Sequence, residues 1–422
     1  MTVKIGSWAS RGRLVVVLSG VIALAGCGGN SSSSSSVNTS TTTTTVSNSA
    51  TVDVNLGPTN NFANGIFTTV KVCAPGSTTN CTSVSDVLVD TGSTGLRLLS
   101  SALGSLSLPP IADSSNNTFQ ECVQFVDLSY IWGPLAQADI YLAGETASSV
   151  PIQIISASSP YTVPPNCLTL GLNGAVNDNS VGTLLANGIL GVSNFPQDCG
   201  SDCTSAENAV PQYYTCPNDN CQIASIPIAS QLWNPVARFA TDNNGVLLSL
   251  PKVPATGAAT VSGSLIFGIG TQSNNTLGSA KIYATDQNGD FTTTYNNAPY
   301  SQSYIDSGSS ILYFMDHATL GISDCGDNQG LYCPAATLSY TVTNTGANGV
   351  SGPVTISIAN ADLLFSNDYA AFNDLGGDSG TDPATDYFDF GLPFFYGRPI
   401  FVGIAGTTVP NGANAPYGYW AY

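Results

Sequence analysis

The sequence predicts an all-β protein of two lobes with a few short helices. The 422 residues include 43 Gly and 24 Pro, a composition that breaks long helices and favours strands and turns. A chain of this length exceeds one ordinary hydrophobic core, so two lobes are expected, at residues 51–244 and 245–422. One short phrase, in which apolar residues lead into Asp, Thr or Ser, Gly and Ser, occurs once in each lobe, at Asp90 and at Asp306.

The N-terminal segment predicts export and a lipid anchor. Basic residues precede an apolar run that ends at Leu24 and is too short for a transmembrane helix, so residues 1–26 are predicted to be a signal peptide. The run closes on Leu-Ala-Gly-Cys, which resembles the lipobox of bacterial lipoproteins and implies a lipid on Cys27. Ordinary signal cleavage with a free Cys27 is the alternative. By the same resemblance, Gly28 favours the outer membrane. Residues 27–50 are mostly Ser, Thr and Asn and are predicted to be a flexible tether.

Charge and residue inventory exclude several classes of function. The formal net charge is −18 at pH 7, so the chain lacks the basic surface that nucleic-acid binding needs, and no nucleic-acid partner is expected. The chain has one His, His317, so metal sites built on His pairs are excluded. A Ser-His-Asp triad would have to include His317, for which a surface or capping position is expected instead. No Gly-rich loop is followed by the Lys that a phosphate site requires. We therefore expect no metal and no cofactor.

The cysteines indicate an oxidising compartment. The chain has 11 Cys, and with Cys27 assigned to the lipid an even number remains. Three pairs are candidate disulfides: Cys73–Cys81, Cys122–Cys167 and Cys325–Cys333. Four further cysteines are expected to form two disulfides whose pairing the sequence leaves open: Cys199, Cys203, Cys216 and Cys221. A zinc site is the competing interpretation of these four.

The repeated phrase has a specific chemical meaning. In each copy a strand leads into the Asp, and the Gly that follows lets the backbone turn sharply. The neighbouring hydroxyl groups can hydrogen-bond the carboxylate and hold it in place. Two such turns, face to face, would bring the two Asp side chains together. A third match, at 378–381, has no apolar strand on either side and is predicted to be a polar loop.

These residues resemble the pepsin-like aspartic peptidases, and the likeness covers most of residues 51–422. Further segments follow in the family's order. Residues 65–72 and 87–90 resemble the strand pair before the family's first Asp, and residues 187–192 resemble the closing segment of its first lobe. Residues 263–268 resemble the start of the second lobe, and residues 388–395 resemble its closing segment. The resemblance implies a two-lobed pepsin-like fold, all-β with a few short helices, with an active cleft between the lobes.

The resemblance also assigns roles to the residues of the two turns. Asp90 and Asp306 would be the catalytic pair, in which one carboxyl group is protonated, the other is ionised, and both activate a water molecule. The supporting residues would tie the turns together (Thr91 and Ser307), hydrogen-bond the outer carboxylate oxygens (Ser93 and Ser309) and let the backbone turn (Gly92 and Gly308).

The chain departs from the family at the flap, the hairpin that closes over the substrate. The usual Tyr context is missing, and the sequence predicts the tip of the hairpin at Gly133 and Pro134. Either Tyr130 or Trp132 would be the aromatic residue of the lid. The alternative is that both pack in the lobe or line the cleft.

Two further departures lie close to the Asp phrases. Arg97 stands where the family usually has a Trp that supports the flap. Asp389 stands at a position that is usually apolar, and it is either a loop residue or an added charge near the catalytic pair.

The predicted function is that of an aspartic endopeptidase which works in acid and takes a polypeptide substrate in the cleft. The protein is expected to be a monomer that is held at the bacterial cell envelope by its lipid anchor only. The alternative is a non-catalytic module of the same fold that binds extended peptides or glycans. The altered flap and Arg97 are the observations that favour this alternative.

Overall fold

A computed structural model of the chain describes residues 47–168, 175–205, 210–315, 317–326, 330–378 and 387–422. The predicted signal peptide, Cys27 and nearly all of the predicted tether lie outside these described residues. Among the residues described, no helix is both long and apolar enough to span a membrane.

The prediction of an all-β fold with a few short helices is confirmed. Within the described ranges the chain forms 22 strands and three α-helices of four residues each. The strands are β1 Ser49–Asn55, β2 Gly65–Cys73, β3 Cys81–Asp90, β4 Thr94–Leu99, β5 Gln120–Gln124, β6 Tyr130–Leu142, β7 Glu145–Ile155, β8 Gly188–Val192, β9 Tyr213–Thr215, β10 Gln222–Ile223, β11 Gly245–Ser249, β12 Val261–Phe267, β13 Ile282–Ala284, β14 Phe291–Tyr295, β15 Ala298–Ile305, β16 Leu312–Phe314, β17 Leu338–Thr345, β18 Ser351–Ile358, β19 Gly376–Asp378, β20 Asp389–Phe390, β21 Ile400–Gly403 and β22 Tyr419–Ala421. The helices are α1 Val181–Leu184, α2 His317–Leu320 and α3 Ala361–Leu364.

The two Asp phrases lie in two copies of one strand arrangement. In the first, β3 and β4 flank the turn at Asp90, and β8 lies between them, parallel to β3 and antiparallel to β4. In the second, β15 and β16 flank the turn at Asp306, and β20 lies between them in the same two orientations. A further parallel strand follows at the outer side of each copy, β7 beside β4 and β19 beside β16. The repetition gives the molecule its two lobes.

Apolar burial fixes both turns in place. Val89 and Leu96 flank the first turn, Ile305 and Leu312 flank the second, and all four belong to one hydrophobic cluster in which each is at most 2% exposed. Full burial of such side chains stabilises the fold by about 1.5–3 kcal/mol each. Each carboxyl group therefore emerges from a rigid strand.

Strand β1 joins the two lobes. It pairs with β2 on one side and with β12 on the other. Ser49 and Ala50, which the sequence assigns to the tether, belong to this strand because they pair with β12. The lobe boundary after Asn244 stays a prediction.

The third Asp-Ser-Gly match begins in a strand, and the prediction of a polar loop is wrong for this part. Asp378 ends β19, while 379–381 lie outside the described residues. The two preceding residues, Gly376 and Gly377, lie in β19. Both are glycine because neighbouring atoms leave no space for a side chain. A Cβ at Gly377 would lie 2.4 Å from the carbonyl oxygen of Gly330.

The three candidate disulfides are confirmed, and each is present in the structure: Cys73–Cys81, Cys122–Cys167 and Cys325–Cys333. The four cysteines whose pairing the sequence leaves open form two local disulfides, Cys199–Cys203 and Cys216–Cys221. Their sulfur atoms are bonded to each other, so the zinc interpretation of this cluster is wrong.

Candidate active site

The two Asp side chains are buried, and each is held by matching hydrogen bonds within its own turn. Asp90 accepts hydrogen bonds from the Gly92 N–H (2.8 Å, to Oδ1) and from the Ser93 hydroxyl (2.5 Å, to Oδ2). Asp306 accepts from the Gly308 N–H (2.7 Å, to Oδ1) and from the Ser309 hydroxyl (2.8 Å, to Oδ2). Both Asp residues are 0% exposed. The carboxyl groups are therefore fixed in equivalent orientations.

The second residue of each phrase ties the two turns together. The Thr91 hydroxyl donates to the Ile305 carbonyl (3.1 Å), and the Ser307 hydroxyl donates to the Val89 carbonyl (2.7 Å). Each hydroxyl oxygen also accepts the backbone N–H of the other residue, at 2.9 Å from Ser307 and 3.1 Å from Thr91. These four reciprocal bonds cross from one lobe to the other at the base of the site.

The glycine of each turn packs against the opposite carboxyl group. A Cβ at Gly92 would lie 2.6 Å from Cγ of Asp306, and one at Gly308 would lie 2.7 Å from Oδ1 of Asp90. Real Cβ contacts are longer than this, so glycine is required at both positions for the two carboxyl groups to meet.

Burial and proximity govern the titration of the pair. Burial first, and then the nearby Asp306, raise the pKa of Asp90 well above its usual value. Burial also raises the pKa of Asp306, while hydrogen bonds from Asp90, Ser309 and two backbone N–H groups act in the opposite direction. The two groups therefore titrate as a coupled pair, in which the larger number of donors around Asp306 favours the ionised form of that residue.

A small recess adjoins the pair and is lined from both lobes. Thr91 and Gly92 contribute from the first turn, and Tyr304 contributes from the strand that leads to the second. Asp290 and Trp420 complete one wall. Neither Asp90 nor Asp306 lines this recess, so it is not itself an opening onto the carboxyl pair.

The predicted position of the flap tip is wrong. The hairpin formed by β5 and β6 turns at residues 125–129, where Asp127 accepts the Ser129 N–H (2.9 Å). Gly133 and Pro134 lie inside β6 and pair with β5. Glycine is needed at 133 for a reason other than a turn, because a Cβ there would lie 1.9 Å from the carbonyl oxygen of Ile154 in β7.

The two candidate lid aromatics have different environments. Trp132 is 1% exposed, its ring packs edge-on against Tyr214 at 5.5 Å, and its N–H donates to Ser159 (3.1 Å). It therefore packs in the lobe, which is the alternative that the sequence leaves open. Tyr130 is partly buried at the start of β6, and its backbone bonds to Val176 and Asp178. A lid function for Tyr130 stays a prediction.

Arg97 is the centre of a buried ion network below the flap. Its guanidinium group lies 2.7 Å from Glu121 in β5 and 3.4 Å from Asp198. Tyr213 and Gln212 also donate to Asp198. Burial, and then Glu121, raise the pKa of Asp198 well above its usual value. Arg97 thus anchors the base of the flap hairpin to β4.

Three residues of the site lie outside the sequence-predicted set of catalytic and supporting residues. Oδ2 of Asp389 lies 2.6 Å from the Ser309 hydroxyl oxygen, within hydrogen-bond distance, and Asp389 is therefore an added acid next to the pair and not a loop residue. Tyr313 lies on β16, opposite Asp389, and Asp127 of the flap tip interacts electrostatically with Tyr313. A sequence signal for Tyr313 exists, since it follows Asp306 at the same interval at which Arg97 follows Asp90.

His317 lies outside this site. Its side chain is 51% exposed and lies 3.1 Å from the carboxylate of Asp324. A surface position, as expected from the sequence, is observed.

Comparison with known proteins gives a family. Residues 44–422 match the family described as "Protein of unknown function (DUF3443)", and the chain belongs to it. No curated protein matches the sequence. Among solved structures, the chain is similar to the aspartic proteinase from Irpex lacteus, with 15% sequence identity, 88% of this chain and 96% of that chain covered, and a TM-score of 0.48. The strand arrangement around Asp90 is repeated around Asp306, as the sequence-predicted two-lobed fold requires.

Proposed function

We propose that the protein is an aspartic-type endopeptidase with Asp90 and Asp306 as its catalytic pair. The observation that carries the proposal is the meeting of two buried carboxyl groups, each held by a backbone N–H and a hydroxyl of its own turn. A structural ion pair would need a cation, whereas here two acids face each other. Such an arrangement raises the pKa of one partner and suits it to proton transfer.

The proposed reaction uses the two carboxyl groups in different protonation states. Ionised Asp306 takes a proton from a water molecule, and the oxygen of that water attacks the carbonyl carbon of the peptide bond. Protonated Asp90 donates its proton to the carbonyl oxygen, which stabilises the tetrahedral intermediate. Collapse of the intermediate breaks the C–N bond, and the leaving nitrogen receives a proton from the pair. Because the reaction needs one ionised and one protonated carboxyl group, it is expected to be fastest in acid.

A substrate can reach the buried pair only if the covering residues move. The flap tip at 125–129 is the candidate for this movement, because its residue Asp127 lies close to Tyr313. Burial, then Asp389, and then Asp127 raise the pKa of the Tyr313 phenol. Opening of the flap would expose the carboxyl groups to a polypeptide chain laid across the cleft.

We further propose that this activity operates at the cell envelope of a bacterium. The apolar run ending at Leu24 and the Leu-Ala-Gly-Cys sequence at Cys27 support a signal peptide and a lipid anchor. Gly28 favours the outer membrane. The five disulfides agree with an oxidising compartment. The proposed state is a monomer.

Incubation of the protein with an unfolded polypeptide between pH 3 and pH 7 tests the proposed activity. We expect cleavage that is faster at pH 4 than at pH 7 and that a statine-type inhibitor, which mimics the tetrahedral intermediate, abolishes. Mass spectrometry of the products gives the cleavage sites. The absence of cleavage at every pH would contradict the proposal.

The second candidate function is a binding module that retains the cleft without turnover. The complete burial of both Asp residues and the packing of Trp132 away from a lid position favour it. Tight binding of an intact polypeptide or glycan, without cleavage and without competition from the statine-type inhibitor, would support this candidate over the peptidase.

A further inference from the structure

A third carboxyl group, Asp389, lies next to the Asp pair. It is 1% exposed and begins β20, the strand inserted between the two strands that carry the second Asp turn. Its backbone is opposite Tyr304 on one side and Tyr313 on the other. The catalytic scheme above makes no use of it.

Ser309 connects this third carboxyl group to the pair. The Ser309 hydroxyl oxygen lies 2.8 Å from Oδ2 of Asp306 and 2.6 Å from Oδ2 of Asp389. A hydroxyl group has a single proton to donate, yet both distances are those of hydrogen bonds. A proton supplied by one of the two carboxyl groups would make both contacts full hydrogen bonds, instead of leaving one hydroxyl proton to be shared between two acceptors.

The distribution of donors decides which carboxyl group supplies that proton. Asp306 also accepts hydrogen bonds from the Gly308 N–H, the Gly92 N–H and Asp90, all of which favour its ionised form. An ionised Asp306 needs the proton of Ser309. The Ser309 oxygen then accepts a hydrogen bond, and Asp389 in its protonated form is the donor.

The groups around Asp389 favour its protonated form. From β15 and its turn it faces Asp306 and Ser309, and from β16 it faces Tyr313. The pKa of Tyr313 is raised well above its usual value by burial first, and then by Asp389, Asp127, Tyr387 and Asp306. These groups therefore share one environment. All of them are neutral or acidic, and a negative charge on Asp389 would add to the repulsion among them.

We propose that Asp389 is a positioning residue of the catalytic pair, which donates its proton to Ser309 and thereby directs the Ser309 proton onto Asp306. The inference rests on the proposed function, because it assigns Asp306 as the general base. The chain Asp389–Ser309–Asp306 keeps the base ionised at lower pH than the pair alone would allow. Asp389 does not touch the reacting atoms, so it acts on the rate and on its pH dependence and not on substrate binding.

Two variants separate the donor from the space that the side chain fills. Asp389→Asn keeps an N–H donor towards Ser309, whereas Asp389→Leu has nearly the same volume and no donor. In Asp389→Leu we expect the acid limb of kcat/KM to move up by about one pH unit, with a loss of kcat of about tenfold on that limb and an unchanged KM. Asp389→Asn is expected to retain the wild-type acid limb. Asp374→Asn is the matched control, a buried carboxyl group of the same lobe whose pKa burial raises to about 6.

A second measurement does not depend on turnover. Carboxyl ¹³C NMR titration of Asp-labelled protein, with the Asp306 signal assigned by its absence in Asp306→Asn, follows the ionisation of Asp306 directly. We expect Asp306 to titrate at higher pH in Asp389→Leu than in the wild type or in Asp389→Asn. Identical Asp306 titration in all three proteins would overturn the role of Asp389. Failure of the wild type to cleave any polypeptide would contradict the proposed function alone.

Discussion

Removal of the buried cation below the flap is expected to destabilise the protein strongly. In Arg97→Met the apolar stem is retained, but the guanidinium bonds to Glu121 (2.7 Å) and to the Thr94 carbonyl (2.6 Å) are lost. Glu121 is 0% exposed, so its charge stays in the interior without its partner. Breaking a buried ion pair in this way costs about 3–5 kcal/mol. This is a large fraction of the roughly 5–15 kcal/mol that stabilises an ordinary protein.

Urea unfolding at pH 7, followed by tryptophan fluorescence, measures this cost. The double variant Arg97→Met/Glu121→Gln removes the stranded charge, so we expect it to recover at least half of the lost free energy of unfolding. Arg238→Met is the matched control, because Arg238 is exposed and stacks over the Trp233 ring at 4.7 Å, and it should cost less than about 1 kcal/mol. The reasoning is refuted if Arg97→Met loses less than about 1 kcal/mol, or if the double variant is no more stable than the single one.

Two further predictions concern the Asp pair and the buried carboxyl groups. Gly92→Ala places a methyl group 2.6 Å from Cγ of Asp306, so we expect peptidase activity to fall by at least about 10²-fold and the free energy of unfolding to fall by about 1–3 kcal/mol. Gly326→Ala is the control and should change neither quantity, because a Cβ at this position meets no atom within 4 Å. Equal activity of the two variants would contradict the close approach of Gly92 to Asp306. Burial raises the pKa of Asp90, Asp198, Asp306 and Asp374, so the folded protein holds these protons more tightly than the unfolded chain does. The contribution of these four carboxyl groups to stability is therefore complete below about pH 4, and it is lost as the pH rises through the raised pKa values. Calorimetry should give a Tm that falls from pH 4 to pH 8. A Tm that rises over this range would show that these groups do not govern the pH dependence of stability.

Features encoded by local pattern could be predicted from the sequence. The two Asp phrases have apolar strands on both sides, and burial of those strands delivers both carboxyl groups to the same place. The hydroxyl and glycine residues around them are specified by the short-range chemistry of the turn. Short spacing predicts the local disulfides Cys73–Cys81 and Cys325–Cys333, but it leaves open the pairing within the cluster that forms Cys199–Cys203 and Cys216–Cys221.

Features that depend on a distant part of the chain could not be predicted. Gly133 and Pro134 have the composition of a turn, but Gly133 is a strand residue because β7 approaches its Cα closely. Asp378 follows two glycines that are likewise needed for close packing. The sequence leaves Asp389 as either a loop residue or an added charge near the pair. Because its contact with Ser309 spans 80 positions in the chain, local pattern does not identify that partner.

The most direct test of the account is the rate at which Asp90→Asn and Asp306→Asn cleave one unfolded substrate at acidic pH. Each variant keeps the shape of the side chain and removes the proton transfer, so kcat/KM is expected to fall by about 10²–10⁴-fold in both. Circular dichroism should show that both variants are folded. Wild-type cleavage by either folded variant would contradict the assignment of Asp90 and Asp306 as the catalytic pair.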